Sequence, residues 1–99
     1  MNYSFHPEAS REAEKAVRYY CEIYPELGES FRAEIEETID RMLRTPKAWH
    51  PIKKAYRRCS LNRFPFCLIF RVDEQKNECQ IFAIMHFKRK PGYWEKRKF

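Results

Sequence analysis

Glycine is almost missing from this chain: its 99 residues contain 2, beside 6 prolines, which excludes collagen-like and linker-like architectures. Long apolar runs are missing as well. The longest uncharged stretches, Phe64 to Phe70 and Cys79 to Phe87, fall far short of the roughly 18 apolar residues of a membrane helix, and the mean hydropathy of −0.80 agrees. No C-x-x-C pair occurs, and His6, His50 and His86 lie far apart, so neither a structural zinc nor any other cofactor is expected. Glu8, Arg11, Glu12 and Glu14 occupy the place of a secretory apolar stretch. The chain is therefore expected to stay in the cytoplasm, with Cys21, Cys59, Cys67 and Cys79 reduced.

What is present suffices for a single domain, residues 1–99. The hydrophobic share is 43% and the aromatic share 16%, enough to build a core, and chains split into separate cores only beyond roughly 250 residues. The net charge of +6 is unevenly spread. Residues 1–50 hold 7 Lys/Arg against 10 Asp/Glu; residues 51–99 hold 13 against 4. A strongly basic second half suits a polyanionic target or an acidic protein partner, or is simply a solvated surface.

Tyr3 and Phe5 flank Ser4 in strand-like alternation, and Pro7 then opens a helix at the position where its missing N–H costs nothing. Ala9, Ala13, Ala16, Val17, Tyr20 and Tyr24 form one apolar stripe, ended by Pro25. Leu27, Phe31, Ile35, Ile39, Met42 and Leu43 form a second, ended at Thr45-Pro46, so the spacing predicts an antiparallel helical pair. Glu34, Glu37 and Asp40 are expected outside. Trp49 and Ile52 fall in a proline-bounded connection that plugs the end of the core.

From Ala55 the period changes to two, which predicts strands over Ala55–Leu61, Phe66–Val72 and Gln80–Phe87 joined as antiparallel hairpins. Alternation places Cys59, Leu61, Phe66, Leu68, Phe70, Val72, Ile81, Ala83, Met85 and Phe87 against the helices. Tyr56, Arg58, Ser60, Cys67, Ile69, Arg71, Phe82, Ile84, His86 and Lys88 then line an uncovered face. That face is either ordinary wet sheet or a site, and its lack of any carboxylate favours the site, with Arg58, Arg71, His86 and Lys88 focusing positive potential. The tail, Lys88–Phe99, mixes six cations with Tyr93 and Trp94, which suits phosphate contact with base stacking or an acidic partner, unless Trp94 packs back as a cap.

Phe5-His6-Pro7-Glu8-Ala9 before a helical hairpin, the Thr45-Pro46 exit, Tyr56-Arg57-Arg58, the Phe66–Val72 strand, and His86-x-x-Arg89 ahead of Pro91-Gly92-Tyr93-Trp94 together resemble the RelE/ParE superfamily of toxins from bacterial type II toxin-antitoxin systems. The resemblance covers nearly the whole chain. It implies an α+β fold, an N-terminal helical hairpin packed on one face of a small, mainly antiparallel β-sheet. It also implies growth arrest, and neutralisation by an acidic antitoxin that wraps the toxin.

The superfamily divides between RelE-like enzymes that cleave mRNA on the ribosome and ParE-like toxins that poison DNA gyrase. A RelE-like reading implies catalytic roles for Arg58, His86, Arg89 and Tyr93, with His86 the one candidate base, since arginine stays protonated. Ser60 and Cys67, however, stand at two of that constellation's basic positions. Their presence favours the ParE-like, non-hydrolytic branch. Arg57, Arg63, Arg71, Lys88 and Trp94 are then the expected target- or antitoxin-binding residues. A plain nucleic-acid-binding module remains the third reading, separated from the others by whether the gene alone halts growth.

Overall fold

In the computed structural model, which describes residues 1–99, β1 (Asn2–Phe5) leads through His6 into α1 (Pro7–Ile23). His6 caps the helix: its Nδ1 accepts the Glu8 amide at 3.0 Å, while Pro7 fills the first helical position. Tyr24 is extended (φ −162°, ψ 151°), so it ends α1 and precedes α2 (Pro25–Arg44) in one residue. Pro25 thus starts the second helix as well as stopping the first. The extended backbone also carries Tyr24 off the apolar stripe expected for it, leaving it 51% exposed. No helix is long and apolar enough to cross a membrane.

The helices touch at Gly28, where an added Cβ would lie 2.0 Å from Cys21 Sγ. Gly28→Ala is therefore expected to lower stability by about 2 kcal/mol through overpacking. Cys21→Ala in the same chain should recover most of that loss in a thermal melt. Glu34, expected outside, is buried instead, 1% exposed.

β2 (His50–Lys53), β3 (Tyr56–Ser60), β4 (Phe66–Asp73) and β5 (Glu78–His86) complete a five-stranded sheet in the order β1-β5-β4-β3-β2. β1 runs parallel to β5, and every other pair is antiparallel. β2 lies in the stretch expected to be a mere connection. Its Pro51 suits an edge position, where no neighbour needs the missing N–H. Trp49 still packs against the helix-side core and Ile52 against the other side of the sheet.

A bulge changes the expected distribution of side chains. Ile69 pairs with Ala83 and Phe70 with Ile81, so Phe82 is an extra residue in β5. Beyond it the faces exchange. Ala83 and Met85 join Tyr56, Cys67, Ile69, Phe82 and Trp94 in one buried cluster, while Ile84 joins the helix-side cluster of Phe31, Met42, Cys59, Leu68, Phe70 and Ile81. The sheet therefore has a core on each side. The face expected to be uncovered is capped by the tail, in which a short 3-10 helix (Tyr93–Lys96) follows Gly92 at φ 101°.

Candidate functional site

Arg58 and Arg71 lie on the tail side of the sheet. Arg58 sits over the Phe87 ring at 5.2 Å, and Phe87, expected beneath the helices, is 44% exposed. Arg71 stacks on Phe82 at 4.8 Å and donates to Gln80 Oε1 at 3.3 Å. His86 does not join them. The bulge turns it to the helix side, where its ring meets Phe66 edge-on at 4.9 Å and lines a groove with Glu12, Tyr19 and Arg89. Its Nδ1 accepts the Lys88 amide at 3.0 Å, which leaves the neutral ring's proton on Nε2. The expected cluster of Arg58, Arg71, His86 and Lys88 on one surface is thus not assembled.

The remaining residues are spoken for in different ways. Arg57 donates to the Trp49 carbonyl at 2.8 Å. Arg63 holds the β3–β4 turn to α2: its amide reaches Glu34 Oε2 at 2.8 Å and its Nε reaches Oε1 at 2.7 Å. Trp94, expected to contact a partner, is 1% exposed and belongs to the tail-side core against Tyr56. Large apolar area removed from water decides its place. No group of three His, Cys, Asp or Glu is placed to hold a metal ion.

Burial alone would raise the Glu34 carboxyl, but the Arg63 amide, the Arg63 side chain, the Asn62 amide and the Arg63 charge together bring it below its ordinary 4.5. A carboxyl lowered by folding adds stability that is complete above its unfolded value and fades as pH falls through the lower, folded one. The acid limb of a stability–pH curve should therefore flatten in Glu34→Gln. That variant should be less stable than the parent at neutral pH and differ least from it at low pH.

The densest polar arrangement joins all three layers. Glu12, on α1, accepts from the Ile84 amide at 3.0 Å and from Arg97 Nη1 and Nη2 at 2.9 and 3.0 Å; Arg89 lies 3.3 Å away. Arg97 also donates to the Phe82 carbonyl at 2.8 Å, so helix, bulge and tail are tied by one nearly buried pair, 13% and 15% exposed. Tyr93 is clasped between Arg89 at 3.6 Å and Arg97 at 5.0 Å. Its hydroxyl is buried without a hydrogen bond, and burial, then the Glu12 charge, raise its pKa, which keeps it a neutral phenol. Sequence reading missed Glu12 and Arg97. The available signal was a carboxylate three residues after Ala9 and four before Ala16, on the apolar stripe itself.

Beside this clamp, a groove of about 260 Å³ runs between α1 and the end of β5, with Ala16, Tyr19, Phe66 and Ile84 as its apolar lining and Lys15 and Arg89 among its polar residues. Tyr19 is 61% exposed there. On β3, a second hollow of about 430 Å³ is lined by Arg41, Trp49, His50, Arg58, Ser60 and Asn62. Acid–base chemistry needs a base and an acid facing one reacting atom. His86 and Glu12 line the first groove and His50 lines the second.

The architecture is that of a small α+β domain with basic, partly apolar hollows on its surface. The chain belongs to the ParE toxin family of type II toxin-antitoxin systems (parDE), whose family model matches residues 3–91. It is similar in fold to a solved structure described as the chromosomal ParDE toxin-antitoxin system from P. aeruginosa. The TM-score is 0.77 at 22% identity, over 89% of this chain and 97% of that one. No curated protein sequence matches it.

Proposed function

We propose that this toxin arrests growth by inhibiting DNA gyrase without cutting nucleic acid, and that an acidic antitoxin neutralises it. The observation carrying this reading is the dispersal of the residues an mRNA-cleaving relative would use. His86 faces α1 with Nδ1 occupied, Arg89 is engaged by Glu12, and the Tyr93 hydroxyl is buried, while Arg58 lies on the other side of the sheet, apart from these three. The imidazole that shares a hollow with Arg58 is that of His50, its cross-strand partner, rather than the expected His86. The α1–β5 groove suits an antitoxin segment with apolar residues on one stripe and acids flanking them, which would meet Tyr19 and Phe66 below and Lys15 and Arg89 at the margin.

Purified toxin added to supercoiling gyrase and, separately, to translating ribosomes tests the target. Supercoiling should fall with toxin concentration while mRNA stays intact. Cutting of mRNA at the ribosomal A site with gyrase unaffected would overturn the proposal. Tyr19→Glu should weaken antitoxin binding by about tenfold or more, since it sets a charge in the apolar floor against acidic residues, and should leave gyrase inhibition in place.

A further inference from the structure

We propose that the hollow on β3 is a binding site for a phosphate group carried on a nucleotide. Edge strand β2 pairs with β3 only from Tyr56 to Arg58, so the edge at Cys59 and Ser60 is left open. Arg41 reaches across from α2 and closes that gap, its Nη2 donating to the Ser60 carbonyl at 3.1 Å and to Thr38 Oγ1 at 3.2 Å. A notch results, with Arg41 and Arg58 as its cations, His50, Ser60 and Asn62 as further polar walls, and no carboxylate in its lining.

Both guanidiniums are held by aromatic faces rather than by acids. Arg41 stacks on Trp49 at 5.7 Å and Arg58 on Phe87 at 5.2 Å, and neither takes part in an ion pair. Stacking fixes each fork while leaving in-plane N–H groups free: Arg58 spends only Nε, in a 3.5 Å contact with Ser60 Oγ. Two preoriented cations in one hollow repel each other, and an anion placed between them relieves that repulsion. Two guanidiniums, a hydroxyl and an amide outnumber the two oxygens of a carboxylate and fit the three free oxygens of a phosphate monoester or the two of a diester plus its bridging atoms. About 430 Å³ admits the attached sugar. An acidic peptide finds little apolar anchorage here, because Trp49 is the one large apolar residue of the lining.

The test titrates purified toxin into a labelled single strand of about ten nucleotides at about 50 mM salt and follows anisotropy, with AMP and inorganic phosphate as competitors. Arg58→Gln should weaken binding about tenfold and lower the salt slope by about one, whereas Arg18→Gln and Lys90→Gln, which remove the same charge elsewhere, should stay within about twofold. Ser60→Ala provides a second variant that leaves the guanidiniums and the fold in place, with an expected loss of about threefold. Competition by AMP at the same concentration as the strand identifies a free nucleotide as the occupant; competition only at much higher concentration identifies a polynucleotide. Both outcomes support the site. Equal losses in all charge variants, or no binding of strand, AMP or phosphate, overturn it. Gyrase takes no part in this measurement, so its outcome and that of the gyrase assay are independent.

Discussion

Trp94→Ala is expected to destabilise the folded chain by about 4 kcal/mol, the largest loss from any single tail residue, because a fully buried indole leaves a cavity that its neighbours cannot fill. Trp94 is 1% exposed and packs against Tyr56 and Tyr93, at ring distances of 6.2 and 5.5 Å, on the side of the sheet away from the helices. Its Nε1 has no hydrogen-bond partner. Trp94→Phe should therefore cost much less than the alanine change, since it keeps most of the packing and removes an unpaired donor. Urea unfolding of the two variants measures both effects. A loss below about 0.5 kcal/mol for Trp94→Ala would show that the tail lies loosely on the sheet.

Arg97→Met is expected to cost about 3 kcal/mol, because it leaves the Glu12 carboxylate nearly buried with only the more exposed Arg89 as a charged partner. The Phe82 carbonyl loses its Arg97 donor at the same time. Glu12→Gln removes the same attraction from the other end. The double variant should then lose less than the sum of the single losses, with a coupling of about 1–3 kcal/mol in unfolding experiments. Salt should hardly alter that coupling, since the pair is shielded from the ions that screen exposed charges. Additive losses would mean that Glu12 and Arg97 act separately.

Helical spacing made the hairpin legible in sequence, with Phe31, Ile35 and Ile39 on one stripe and Ala9, Ala16 and Val17 on the other, all buried. The three long strands were legible from their period of two. His50–Lys53 was not, because two of its four residues, Pro51 and Lys53, carry little strand character, and its pairing with β3 is what makes it a strand. The site was misread for one local reason. Strict alternation assumes one residue per step, and Phe82 adds a step, so every side chain from Ala83 to His86 points opposite to its sequence pattern. Glu34 misled similarly: acidic residues in helices usually face water, and only the turn at Asn62–Arg63, distant in sequence, supplies the donors that hold it inside.

The four free thiols occupy usefully different places. Cys59 lies under the helices and Cys67 under the tail, both 0% exposed, and burial pushes each up to about 11. An alkylating reagent meets neither as a thiolate while the chain is closed. With Cys21 and Cys79 replaced by serine or alanine, the two remaining sulfurs become separate clocks for the two sides of one sheet. Modification of Cys67 ahead of Cys59 would date the moment the strap lifts, and simultaneous modification would mean that the molecule comes apart all at once.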